Sequence, residues 1–217
     1  MTTRKRTAIL ISGRGSNMMS LVEAARPADF PAQIVTVISN RPDATGLEWA
    51  ASQDIPAVAL DHKHYKTREA FEADLQKTLE AANVELIALA GFMRLMTPGF
   101  VARWHDRMIN IHPSLLPSFK GLHTHEQALA VGVKVTGCTV HFVRPEMDAG
   151  PIIAQAAVPV RSCDTPATLS ARVLAAEHQL YPHALRLVAS GLAQCNGEKV
   201  TVSQDVNETG PLFSPKL

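Results

Sequence analysis

Apolar runs of strand length alternate along this chain with segments whose apolar residues recur at helical spacing. TAILIS, residues 7–12, opens the pattern as a buried strand. Residues 16–25 follow as a helix that Pro27 ends, and QIVTVIS, 33–39, is a second strand running into the turn-like NRPDATG. A short helix over 47–52 and a weaker strand over 56–60 come next. The spacing of Phe71, Leu75 and Leu79 predicts a helix over 67–82. VELIALA (84–90) and MINIH (108–112) read as strands, and VKVTGCTVHFV (133–143) and PIIAQAAVPV (151–160) as longer strands with partial alternation. GLHTHEQAL enters a further helix. A long helix over 165–190, interrupted near Pro182, precedes a polar tail from Gly191 with a possible short strand at 199–202.

Strand alternating with helix predicts an α/β fold: a mostly parallel twisted sheet with helices on both faces and right-handed crossovers. The early strands are apolar throughout, as a sheet buried on both sides requires. The last two long strands are joined by a loop too short for a helical crossover, so they are antiparallel to each other. No repeat, low-complexity block or linker interrupts the chain. The expected organisation is a single domain over 1–217 with an N-terminal lobe of about 1–100, a second lobe of about 101–190 and the tail 191–217.

Bulk numbers narrow the function classes. Of 217 residues, 46% are hydrophobic and 19% charged, the balance of a packed globular core. A net charge of +1 gives no bulk attraction to nucleic acid or to an anionic membrane. Three scattered cysteines, Cys138, Cys163 and Cys195, argue against a disulfide framework or a cysteine-based zinc site and fit a reducing compartment. The basic N-terminus carries an apolar run, Ala8 to Ile11, too short for a secretion signal, and no stretch nears the roughly 20 apolar residues of a membrane span. A cytoplasmic setting follows as the expectation.

Candidate chemistry begins at ISGRGSNM, between the first strand and the first helix. Gly13 and Gly15 allow a tight turn, and Ser16 and Asn17 can cap the helix. In a G-x-G-x-x-G register the third glycine would fall on Met18, and no Gly-Lys-Ser/Thr follows, so neither nucleotide fingerprint applies. Taken alone this is equally a capped turn or a monophosphate site; its place at a strand's carboxyl end favours the second.

Asn110 and His112 stand two apart on a strand and therefore face the same way. An amide that donates to a developing oxyanion and an imidazole that moves a proton suit attack on a carbonyl carbon. Pro113 and Pro117 stiffen the exit. Asp148, in the loop of HFVRPEMDAGPII, is either ordinary turn chemistry or, if that loop folds over the Asn–His face, the group that orients His112. No covalent nucleophile is evident, since no cysteine neighbours the pair and Ser114 lacks a G-x-S-x-G elbow.

Glu177 shares an apolar stripe with Leu169, Val173 and Leu180, where a carboxylate needs a partner or a water-facing helix edge. His123 and His125 lack a third ligand at metal spacing, and His62 and His64 read as solvated. FMRLM, 92–96, can line a flat apolar pocket or be an ordinary loop.

Together ISGRGSN, ISNRPDATGLEWA, LAGFMRLMTPGFV, NIHPSLLPSFKGLHTHEQAL, GCTVHFVRPEMDAGPIIAQAAVPV and AAEHQLYP resemble the folate-dependent formyltransferases, and among them the phosphoribosylglycinamide formyltransferases of purine synthesis. The resemblance implies a Rossmann-like formyltransferase fold and transfer of a formyl group from 10-formyltetrahydrofolate, as co-substrate and without a metal, to the amine of phosphoribosylglycinamide. It implies Asn110, His112 and Asp148 as the catalytic set. It implies Gly15, Ser16 and Asn17 at the ribonucleotide phosphate and Leu174, Ala175, Ala176 and Glu177 at the rest of that substrate. For the folate it implies Arg68, Met93, Arg94, Leu95, Met96, Asn110, Arg144, Pro145, Glu146, Met147 and Asp148. Arg14 receives no role. The partners expected are small molecules, with neither nucleic acid nor membrane, for a monomer or homodimer.

Rival readings are a methionyl-tRNA formyltransferase, a formyltetrahydrofolate hydrolase and a non-catalytic nucleotide-binding module. The first is expected to carry a C-terminal RNA-binding domain, for which 191–217 leave little room. The second is expected to carry an N-terminal regulatory domain, whereas the first strand starts near residue 7. The third leaves Asn110, His112 and Asp148 without a role.

Overall fold

A computed structural model describes residues 4–203 and Ser214. The elements in chain order are β1 (Lys5–Ile11), α1 (Ser16–Ala24), β2 (Ala32–Ser39), α2 (Thr45–Ser52), β3 (Ala57–Ala59), α3 (Arg68–Ala81), β4 (Leu86–Leu89), α4 (Pro98–Arg103) and β5 (Met108–His112). They continue with α5 (Thr124–Val131), β6 (Val135–Phe142), β7 (Ile152–Pro159), α6 (Pro166–Ala189), β8 (Ala193–Asn196) and β9 (Lys199–Val202). One sheet of seven strands runs in the order β3-β2-β1-β4-β5-β6-β7. The first five in that order are mutually parallel, and β6 lies antiparallel between β5 and β7. The antiparallel relation expected of the last two long strands thus extends to β5.

Alternation along the strands divides the core between two faces. Ile9 and Ile11 of β1 pack with Met18 and Leu21 of α1 and with Val173 and Tyr181 of α6. Ala8 and Leu10 face the other way, onto Phe71, Leu75 and Leu79 of α3 and Phe100 and Trp104 near α4. Met108 belongs to this second face, and Asn110 and His112 follow it at the strand period.

Helix α6 starts with a capping box on Thr165 and a two-point ion pair of Asp164 with Arg172, at 2.7 and 2.8 Å. It then runs unbroken through Pro182, where the sequence predicts an interruption. Proline removes one helical hydrogen bond. Packing around it holds the helix: Tyr181, Ala184, Leu185 and Leu187 are buried, and the Tyr181 hydroxyl reaches the carbonyl oxygens of Leu89 at 3.0 Å and Ile109 at 3.2 Å. Helix α4, absent from the sequence reading, has Pro98 in its first turn and Thr97 as its cap; six residues are too few to display a period. Strands β8 and β9 form a hairpin in the segment read as a polar tail, with Ala193 buried and Leu192 and Val200 packed on the core. The remainder of that tail, 204–213 and 215–217, lies outside the described residues. Among the described residues no helix is long and apolar enough to cross a membrane.

Because β6 runs antiparallel to β5, its last residue, Phe142, pairs with Ile109 near the start of β5. The following loop must double back to reach the carboxyl end of β5. Gly150 permits this: a Cβ there would sit 1.7 Å from the Phe142 carbonyl oxygen. Gly150→Ala is therefore expected to destabilise the fold by about 1–3 kcal/mol, read as a lower denaturation midpoint in urea; an unchanged midpoint would contradict the close approach.

Candidate active site

The site gathers at the carboxyl ends of the parallel strands. β1 pairs with β2 on one side and β4 on the other, so the order in which strands are added reverses there and a crevice opens at their carboxyl ends. A cleft of about 370 Å³ lies at this point, lined by Ser12, Gly13, Asn40, Arg41, His62, Gly91, Met93 and Arg94. At the turn into α1, Gly15 occupies the cap position in a left-handed conformation, φ 72°, and supplies no side-chain cap. The sequence offers Ser16 and Asn17 as caps. Instead Ser16 is the first helical residue and the Asn17 side chain turns to α6, so the first amides of α1 are left without side-chain partners.

Asn17 Nδ2 donates to Glu177 Oε2 at 2.6 Å, and both residues are buried. The carboxylate on the apolar stripe is thus paired with the start of α1. Burial raises the Glu177 pKa, an effect that the Asn17 hydrogen bond and the charge of His112 oppose. Asn17 Oδ1 is buried with no partner, as is Nε2 of the adjacent His178. Burial, then the charge of Arg14, lower the His178 pKa. Leu174 and Ala176 are half-buried and Ala175 exposed on the turn of α6 before Glu177.

The loop between β4 and α4 is pinned at both ends. Met93 N donates to Ser12 Oγ at 2.8 Å, and Ser12 Oγ donates to Asn40 Oδ1 at 2.5 Å. Thr97 donates its backbone N–H to Glu72 at 2.7 Å and its hydroxyl to the same carboxylate. Between these anchors Met93 and Leu95 are exposed, Met96 is half-buried, and the Arg94 guanidinium stacks over Phe71 at 5.2 Å. Arg68 is exposed at the start of α3, three positions before Phe71.

At the end of β5 the residues opening and closing N-I-H share one face with His141 of β6, which stands opposite Asn110 in register. His112 Nε2 donates to the Phe119 carbonyl oxygen at 2.9 Å, and Nδ1 lies 3.5 Å from Asp148 Oδ2. Asp148 Oδ2 also accepts the Gly121 N–H at 2.8 Å, and Oδ1 is 4.0 Å from His141 Nε2. Asp148 adopts φ 51°, a left-handed conformation that aspartate tolerates better than most residues. The turn after His112 is held by Thr139, whose Oγ1 donates to Ser114 O at 2.7 Å and accepts from Leu116 N at 3.0 Å. Asn110, His112 and Asp148 are thus brought together, as the sequence predicts should the loop fold over this face.

The loop residues differ in what they offer. Pro145, Glu146 and Met147 are exposed, and Glu146 meets Lys120 at 3.3 Å. The Arg144 guanidinium is committed elsewhere: it bonds Asp106 at 2.8 Å and reaches Glu198 of the β8–β9 turn at 3.5 Å. His123 is exposed beside Glu126, and His125 is half-buried with Nδ1 unpartnered. The sequence reading missed His141. Its partner follows only from antiparallel register, which no short motif displays.

The formyl transferase family profile matches residues 5–185. The chain is 50% identical over 204 residues to the trifunctional purine biosynthetic protein adenosine-3 of Homo sapiens, covering 93% of this chain but spanning only 20% of that protein. It is 41% identical over 183 residues to the phosphoribosylglycinamide formyltransferase of Escherichia coli strain K12, covering 84% of this chain and 86% of the relative. Its fold superposes on the crystal structure of glycinamide ribonucleotide transformylase 1 from Symbiobacterium toebii with a TM-score of 0.89 at 46% identity, covering 92% and 94% of the two chains.

Glu177 generates a pH-dependent prediction. A carboxyl whose pKa is raised by folding holds its proton longer in the folded state than in the unfolded one. The contribution of Glu177 to stability therefore falls as pH rises above the ordinary glutamate value of 4.5 and levels off above the raised value. Glu177→Gln removes the charge and keeps an acceptor for Asn17. Its melting temperature is expected to match wild type at pH 4 and exceed it at pH 8; a lower melting temperature at pH 8 would contradict the burial cost.

Proposed function

Because the chain belongs to the formyl transferase family, we propose that it transfers the formyl group of 10-formyltetrahydrofolate to the amine of N1-(5-phospho-D-ribosyl)glycinamide in purine biosynthesis. The products are the N-formyl ribonucleotide and tetrahydrofolate. The observation that carries this reading is the meeting of Asn110, His112 and Asp148 at the end of β5, on a sheet whose first strand runs into a helix with open N-terminal amides.

In this reading residues of about 1–100 supply the phosphate-binding lobe and about 101–190 the catalytic and folate lobe. The amides of Gly15, Ser16 and Asn17 receive the phosphate, where the start of α1 attracts an anion. Leu174, Ala175, Ala176 and Glu177 border the remainder of the ribonucleotide. Met93–Met96, Arg68 and the loop Arg144–Asp148 border the folate; exposed Met93, Leu95 and Met147 suit the flat apolar rings of a pterin. Both substrates are small soluble molecules, the setting is the cytoplasm, and the chemistry calls for no metal.

The amine lone pair attacks the formyl carbon, and the carbonyl π electrons move onto oxygen. An N–H of Asn110 and the Nδ1–H of His112, in its doubly protonated form, stabilise that oxyanion. The hydrogen bonds of His112 aim it at that oxygen. Donation of Nε2–H to Phe119 leaves Nδ1 as the open edge, and the 3.5 Å gap to Asp148 lets an arriving oxygen share a proton there. Collapse of the tetrahedral intermediate breaks the bond to the folate nitrogen. A water held by Asp148 carries the proton from the attacking amine to that leaving nitrogen, so the step balances without a covalent enzyme intermediate.

Asn110→Ala and Asp148→Ala are each expected to remain folded by circular dichroism; the first loses about 10²–10³ in kcat, the usual loss for an oxyanion donor, and the second about 10²–10⁴, the usual worth of a positioned proton-transfer group. Loss of the formyl group from the folate, followed spectroscopically, is expected only with the ribonucleotide present. Release without it would instead identify a hydrolase, and no release under either condition a binding module.

A further inference from the structure

We propose that His141 is a positioning residue for the formyl transfer, holding the Asn110 amide so that its NH₂ group rather than its carbonyl oxygen serves the reacting oxygen. The proposal rests on the reading of Asn110 as an oxyanion donor.

Hydrogen-bond chemistry fixes the orientation. His141 Nδ1 lies 2.9 Å from the backbone oxygen of Phe142, which offers only lone pairs. Nδ1 therefore carries the ring proton, and in a neutral ring Nε2 presents a lone pair. That nitrogen lies 3.2 Å from Asn110 Nδ2, so the amide donates to it. Rotating the amide by a half turn would set its oxygen against the Nε2 lone pair, two acceptors face to face. His141 is only 2% exposed, so water cannot relieve that clash. One N–H of Asn110 is thereby committed to His141, and the other is left for substrate.

The arrangement persists as long as the ring stays neutral. The titratable groups facing it are Asp148, which favours charging the ring, and His112, which opposes it. Burial is the largest influence and lowers the His141 pKa. A solvated or merely space-filling histidine would need neither the fixed tautomer nor a catalytic amide as its partner.

A double-mutant cycle with Asn110 separates positioning from support. His141→Ala is expected to lower kcat about 10-fold to 10²-fold, the scale of a misplaced catalytic group, with KM for either substrate changed less than about twofold. Asn110→Ala combined with His141→Ala is expected to be no slower than Asn110→Ala alone. His141→Phe keeps the ring volume without the acceptor and carries the same cycle if His141→Ala does not fold. Long-range proton–nitrogen NMR on the wild-type enzyme gives a readout that needs no variant: a neutral His141 ring protonated at Nδ1. Losses that multiply in the double variant, wild-type kcat in the single His141 variant, or an Nε2-protonated neutral ring would each overturn the assignment. A fully active Asn110→Ala enzyme would instead remove the reading of Asn110 itself.

Discussion

The Asp148 carboxylate joins the end of β5 and the turn after it to the end of β6 and the loop that follows. It accepts the Gly121 N–H at 2.8 Å, stands 3.5 Å from His112 and 4.0 Å from His141, and its side chain is 11% exposed. A carboxylate so enclosed needs donors, and the Gly121 N–H and the His112 ring face its Oδ2. Its placement depends on backbone features that have no other evident purpose: the left-handed conformation at Asp148, and the near-contact of Gly150 with the Phe142 carbonyl that folds the loop back over the sheet. Remove the carboxylate and the turn after β5 loses its buried tie to the loop after β6, with the exposed Lys120–Glu146 pair left between them.

A second buried polar contact organises the opposite side of the crevice. The Asn17–Glu177 hydrogen bond links the start of α1 to the middle of α6, on the sheet face away from Asn110 and His112. Polar groups therefore reach the crevice from both faces at the carboxyl ends of the strands. In the proposed reaction that convergence would give each of the two substrates a separate wall: the loop before α1 with Glu177 on one side, and the pinned Met93–Met96 loop with Asp148's loop on the other. The extra structure spent on rigidity is visible in Ser12, Asn40, Glu72 and Thr97, which hold the loop ends without facing solvent.

Much of this was legible in the residues, and the limits of legibility have physical causes. Asn110 and His112 share a face because strand side chains repeat every second residue, a rule that needs no neighbour. The partnership of His112 with Asp148 depends on loop closure, and that of Asn110 with His141 on antiparallel register; neither is encoded locally. Glu177 announced itself as an oddity on an apolar stripe, but its partner Asn17 is 160 positions away. Pro182 misled because tertiary packing overrides a local helix-breaking preference. Helix α4 and strand β8 are too short to carry a periodic signal. The acceptor for the Asn110 amide, His141, was hidden because a buried histidine in an apolar strand has the same sequence signature whether it supports chemistry or only fills space.

The central claim is that Asn110, His112 and Asp148 surround one reacting carbon. A crystal structure of this chain with a stable tetrahedral analogue that joins the folate and ribonucleotide moieties tests it most directly. The analogue's central oxygen should lie within hydrogen-bonding distance of Asn110 Nδ2 and the His112 ring, with Asp148 still against Nδ1. An analogue bound with its tetrahedral centre away from those three side chains, in a complex of otherwise unchanged fold, would contradict it.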